Sequence, residues 1–231
     1  MRMPRALVFV GGVKNTGKSK MIEVACSELA FGEPSLYHLR ISEFYRDQMR
    51  HAGTDDFEAE EWKPFEPEAV RAAGMELAKL RLQEYDAVLV NTHFASPSRR
   101  GYVSGTDPRW IAHLCKSYGI TPQDEDTRAG VILIDSSLDI LRQPDEELQW
   151  DNAQLKQVVG RVDQRMQDLY QNREKSMDYY HTLTRYLDFD RVEYRTLVPS
   201  ETAPLGPPSL RRYGLEIHQI VGEICQGEPP A

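Results

Sequence analysis

The 231-residue sequence has no apolar run longer than a β-strand, so no segment reads as a membrane span. Its basic start, Met1-Arg2-Met3-Pro4-Arg5, is followed by an apolar run too short for a signal peptide, which ends in Gly11 and Gly12. Cysteine is scarce: Cys26, Cys115 and Cys225 are an odd number, widely spaced and without a C-x-x-C pair. That excludes a disulfide framework and a thiolate zinc site, and predicts reduced thiols in a cytoplasmic protein. Positive charge is also short, with 28 basic against 36 acidic residues and a net charge of −8, which argues against a general nucleic-acid surface. There is no internal repeat and no low-complexity tract. The length fits a single α/β domain over residues 1–231 with room for a mobile insert.

Residues 12 to 19, Gly12-Val13-Lys14-Asn15-Thr16-Gly17-Lys18-Ser19, match G-x-x-x-x-G-K-[ST] at every fixed position. In this pattern the glycines let successive backbone N–H groups face one anion. Lys18 reaches the β- and γ-phosphates, the Ser19 hydroxyl ligates Mg²⁺, and the following helix directs its positive end at the same phosphates. The context agrees. Ala6-Leu7-Val8-Phe9-Val10 reads as a buried strand before the loop, and Met21, Ile22, Ala25 and Leu29 recur at helical spacing after it. A nucleoside triphosphate site is expected here, with ATP and Mg²⁺ as its ligands.

Further strands are predicted at residues 35–39, 87–90, 130–135 and 192–195, each an apolar run of strand length. Helical patterns fall at 41–50, from Pro67 to Leu80, at 110–118, from Leu155 to Tyr180, and over 210–224. Residues 51–66 are polar and acidic and read as a loop or flap; residues 95–108, rich in Ser, Pro, Gly and Arg, read as a loop. Strands alternating with helices imply a parallel sheet covered on both faces, with ligands at the carboxyl ends of the strands. The phosphate loop, Arg40, Asn91-Thr92-His93 and Asp135 all sit at such ends and should line one cleft.

Asn91-Thr92-His93 followed by Gly101-Tyr102-Val103-Ser104-Gly105 resembles the archaeal-type adenylate kinases, in which a strand ending Asp-Thr-His precedes a loop close to Gly-Tyr-Leu-Pro-Gly. Ile134-Asp135 with Leu138 to Arg142, and Asn172-Arg173 with Met177-Asp178-Tyr179-Tyr180, are similar to the segments that enter and leave that family's lid. The order agrees over roughly residues 5 to 196. The resemblance implies a three-layer P-loop NTPase fold of the nucleoside monophosphate kinase type, with a short lid insert at 143–165, moving the γ-phosphoryl of Mg-ATP to a small acceptor. The chain departs from the family at Lys14-Asn15, at Asn91 in place of an aspartate, and in an arginine-poor lid where Arg142 is followed by Gln143-Pro144-Asp145-Glu146-Glu147. Two alternatives stay open. One is a regulatory ATPase or switch without transfer. The other is a GTP-binding protein of cofactor assembly, whose loop Lys-Asn-Thr-Gly-Lys-Ser is similar, although no Asn-Lys-x-Asp sequence for guanine is present.

Phosphoryl transfer relies on positioning and charge neutralisation, so arginines are the natural candidates. Lys18 and Arg142 are the catalytic pair expected from this reasoning, with Arg161 and Arg165 one helical turn apart in the lid. Arg40, His93, Arg99 and Arg100 are the acceptor-side candidates, His93 as a group that orients its neighbours by hydrogen bonds. Asp135 reads as a strand-end cap, and Trp62, Phe65 and Trp110 as aromatic lids on the core.

Overall fold

The first strand, β1 (Arg5–Gly12), is buried on both sides, which is why it reads as an unbroken apolar run. In the computed structural model, which describes residues 5–13, 16–27, 33–54, 62–83, 85–98, 101–121, 123, 126–135, 152–186, 191–199 and 206–227, it is the central strand of a five-stranded sheet. Parallel partners flank it: β3 (Ala87–Asn91) on one side and β6 (Thr127–Ile134) on the other. Outside these lie β2 (Leu36–Arg40) and β7 (Val192–Leu197), also parallel, giving the order β2-β3-β1-β6-β7. The chain leaves β1 toward β2 and later returns to β1's other side, so β1 and β3 bound the crevice where ligands enter such sheets.

The two-residue alternation of the strands separates two apolar layers. Ala6, Val8 and Val10 face α1 (Lys18–Ala25) and α6 (Pro207–Gln226), meeting Met21, Ile22, Ile217 and Val221. Leu7 and Phe9 face the opposite layer, built from α2 (Ile41–His51), α3 (Glu66–Leu80), α4 (Pro108–Tyr118) and the long α5 (Asn152–His181). Tyr45, Leu77, Leu114 and Tyr179 are their main contributions. This is the three-layer α/β arrangement expected from the alternation of elements. Among the described residues no helix is long and apolar enough to cross a membrane. All three cysteines are free; burial pushes the Cys26 and Cys225 thiols up to about 12, so neither is a ready nucleophile.

Two segments differ from the sequence reading. Residues 95–108 contain an antiparallel hairpin of β4 (Ala95–Ser98) and β5 (Gly101–Ser104) before α4 begins, not a bare loop. Composition hides it because its anchors are distant: the Ala95 N–H donates to Asn172 Oδ1 at 3.1 Å, and the Tyr102 hydroxyl bonds Asp168, both on α5. Asn172 and Arg173, expected at the opening of a helix after the lid, sit well inside α5, which is continuous from Asn152 and closes in a π-helical turn at Thr182–Tyr186. The expected lid at 143–165 therefore has its last part, from residue 152, in α5, and its first part, 143–151, outside the described residues. Of the expected flap at 51–66, residues 55–61 lie outside them too.

Candidate functional site

The phosphate loop closes β1 and opens α1. Gly17 adopts φ 77°, a left-handed turn that a side chain would strain, and it caps α1 without any side-chain hydrogen bond. No acidic residue occupies the first turn, so the helix N–H groups and the dipole remain available to an anion. Thr16 Oγ1 donates to the Val13 carbonyl at 3.1 Å and pins the loop from inside. Lys14 and Asn15 lie outside the described residues.

Lys18 is only 5% exposed, yet it lines the cleft. Its ammonium lies 3.4 Å from His93 Nδ1, and the same ring nitrogen is 3.3 Å from the Gly12 carbonyl. His93 thus bridges the ends of β1 and β3 beside the catalytic lysine candidate. One residue on, the Ser19 hydroxyl lies 3.0 Å from Asn91 Nδ2, and that amide nitrogen lies 3.0 Å from His38 Nε2. His38 is held neutral: burial lowers its pKa to about 4, with Arg40 and Lys18 adding to the effect against an opposing Glu23.

Whether these residues suit Mg²⁺ follows from their donors. Among the described residues no group of three His, Cys, Asp or Glu side chains could hold a metal ion. Mg²⁺ does not need one beside a nucleotide, because it keeps several waters and binds through phosphate oxygens and one or two protein groups. The Ser19 hydroxyl fits that mode as the protein group, with the Asn91 side chain beside it.

The cleft measures about 450 Å³, within the ordinary range for small-ligand sites. From Lys18 and Ser19 it extends to a wall of Ile41, Tyr45 and Trp62, joined by Ser42, Arg46 and Ser96. Tyr45 and Trp62 meet edge to face with centroids 4.7 Å apart. The Tyr45 hydroxyl donates to Glu66 Oε1 at 3.2 Å. Glu66, 6% exposed, also accepts from Lys63 at 3.1 Å and from the Asp107 N–H at 2.8 Å. A buried carboxylate with three donors holds the Tyr45 ring in one orientation, and burial beside Glu66 pushes the Tyr45 phenol well up, so it stays protonated.

The structure brings Val13, Thr16, Gly17, Lys18, Ser19 and His93 to this cleft. Gly12 contributes its carbonyl to His93. Arg40 is placed otherwise: it pairs with Glu23 and, at 3.2 Å, with Glu43, and is not among the lining residues. Arg99, Arg100 and Arg142 lie outside the described residues, as does the side chain of Arg161. Arg165 is half-buried on α5, adjacent to Gln164, which bonds Tyr102 of the hairpin. Asp135 accepts bonds of 2.9 and 2.8 Å from Arg173 Nε at the end of β6. Arg46 and Tyr45 are cleft residues that the sequence reading did not assign, and Trp62, read there as a lid on the core, also lines the cleft. For Arg46 a signal existed, since Ser42 and Arg46, like Ile41 and Tyr45, are one helical turn apart.

No protein-family model matches the chain, and no curated protein is similar to it. Among solved structures, it is similar to a protein of Chloroflexus aurantiacus described as a kinase, at 14% identity over 96% of this chain and 99% of that one, with a TM-score of 0.47. It is also similar to shikimate kinase from Aquifex aeolicus, at 10% identity over 94% and 98%, TM-score 0.39. A chain of the PezAT toxin-antitoxin system of Streptococcus pneumoniae shares 12% identity over 97% and 88%, TM-score 0.40. The assignment of this chain to the P-loop α/β fold rests on its own sheet order and phosphate loop.

Proposed function

We propose that this protein is an ATP-dependent phosphotransferase that moves the γ-phosphoryl group to a nucleoside monophosphate or a similar small acceptor. The observation that carries the reading is one continuous cleft joining Lys18 and Ser19 to the Tyr45–Trp62–Arg46 wall. A nucleotide switch needs only the first half of it. The loop N–H groups and the α1 terminus bind the phosphates, and Lys18 neutralises charge on the transferring group. Mg²⁺, held by Ser19 with Asn91 nearby, would screen the β- and γ-phosphates. On the far side, Tyr45 and Trp62 give the cleft an apolar wall, and Arg46 offers a cation to the acceptor's anionic group. An acceptor already anionic needs no general base, so His93 serves to position Lys18.

The test is incubation of pure protein with ATP, Mg²⁺ and a panel of monophosphates. One of them is expected to yield its diphosphate. If none raises ADP release above the basal rate, the protein is a regulatory ATPase instead. Thermal titration with ATP and GTP in parallel separates the base preference.

A further inference from the structure

The hydrogen-bonded triad Ser19–Asn91–His38 joins α1, β3 and β2, and one amide atom of Asn91 touches both of its partners at 3.0 Å. That geometry permits only two proton arrangements. If Asn91 presents its NH₂, Ser19 Oγ accepts, and His38 Nε2 must also accept, leaving the His38 proton on Nδ1. If Asn91 presents its carbonyl oxygen, the Ser19 hydroxyl donates, and His38 must carry its proton on Nε2. A mixture sets two donors, or two acceptors, face to face. The structure has the first arrangement. A neutral imidazole can adopt either tautomer, and His38 is neutral here.

We propose that Asn91 and His38 form a reversible switch on the metal side of the phosphate loop, in which rotation of the Asn91 carboxamide is coupled to the His38 tautomer. This rests on the reading of Ser19 as the metal-side ligand. In the first arrangement the Asn91 NH₂ occupies a lone pair of Ser19 and turns the positive end of the amide toward the place of a cation. Both effects oppose metal binding. In the second, Asn91 Oδ1 accepts a hydrogen bond from the Ser19 hydroxyl, the Ser19 lone pairs face the cleft, and the negative end of the amide faces the cation. The proton count does not change: one proton leaves His38 Nδ1 to water and one arrives at Nε2. A carboxylate at position 91 accepts from either oxygen and has no such choice. Asn91 makes the site conditional, and His38 is the positioning residue that sets the condition.

The experiment is nitrogen-15 NMR of histidine-labelled full-length protein, reading which His38 nitrogen is protonated. Three samples are compared: protein alone, with ATP, and with ATP and Mg²⁺, alongside the Asn91→Asp variant. The expected result is His38 protonated on Nδ1 in the protein alone and on Nε2 with ATP and Mg²⁺. In Asn91→Asp, Nε2 carries the proton throughout, and the Mg²⁺ concentration at half-maximal thermal stabilisation by ATP falls roughly tenfold, the worth of a charged over a neutral contact. His38 protonated on Nε2 in the unliganded wild-type protein would overturn the switch. So would persistence of the Nδ1 form once ATP and Mg²⁺ have raised the melting temperature. If ATP and Mg²⁺ do not raise it, the phosphotransferase reading has failed. The unliganded comparison then still decides the switch, since identical His38 tautomers in wild type and Asn91→Asp refute it.

Discussion

Replacing Lys18 by alanine tests the phosphate loop most directly. The ammonium is nearly buried and points into the cleft beside His93. A hydrogen bond to a charged group contributes about 1.5–3 kcal/mol, so its loss weakens ATP binding about ten- to 150-fold. With ATP at about 100 times the wild-type Kd, binding stabilises the native state by about 2.7 kcal/mol. A 100-fold weaker variant at the same concentration retains only about 0.4 kcal/mol. For a chain of this size about 1 kcal/mol moves Tm by 2–4 °C, so a ligand-induced shift of about 5–11 °C shrinks to about 1–2 °C. The unliganded protein should melt within a few degrees of wild type, because His93 keeps the Gly12 carbonyl within 3.3 Å and no buried charge is left behind. The assay is thermal unfolding with and without ATP and Mg²⁺. A full-sized ATP shift in Lys18→Ala refutes the phosphate-loop assignment.

Gly105→Ala would place a Cβ 1.6 Å from the His93 carbonyl oxygen, a backbone atom that cannot step aside, so a loss of about 3 kcal/mol is expected in urea unfolding. A variant as stable as wild type would mean that Gly105 does not pack on His93. Arg46→Ala should raise the acceptor KM by about ten- to 150-fold while leaving ATP affinity unchanged; an equal loss for ATP would move Arg46 out of the acceptor half. His38 has a folded pKa of about 4 against an ordinary 6.5, so the unfolded chain takes the proton first. Its contribution, on the order of 3 kcal/mol, is complete above pH 6.5 and is lost as pH falls toward 4. His38→Gln should flatten that part of the stability–pH curve, and identical slopes for the two proteins would show that His38 is not buried neutral.

The features legible in the sequence are those whose physics is local. An apolar strand, a glycine loop and a helix start lie within twenty residues of one another, so Gly12 to Ser19 announces an anion site without any knowledge of the rest of the chain. The strands at Ala87–Asn91 and Thr127–Ile134 were legible for a similar reason, since burial on both faces demands continuous apolar residues. The β4–β5 hairpin was not, because Pro97 and Ser98 carry no strand preference and the pairing is held by Asn172 and Asp168, more than sixty residues away.

Charge was the least legible property. Arg40 and Arg46 look alike in the sequence, and only the packing of α1 against β2 sends Arg40 to Glu23 while α2 turns Arg46 into the cleft. The same holds for the metal side. From the sequence alone Asn91 is a substitution that costs a charge; the structure sets it between Ser19 and His38, separated from it by 72 and 53 positions, where an amide gains two partners. Sequence determines which groups can donate, accept or carry charge, and it places them correctly wherever a single turn or strand decides their neighbours. Which donor meets which acceptor across the cleft is decided by sheet order, because parallel pairing sets the end of β3 between the ends of β1 and β2, however far apart they lie along the chain.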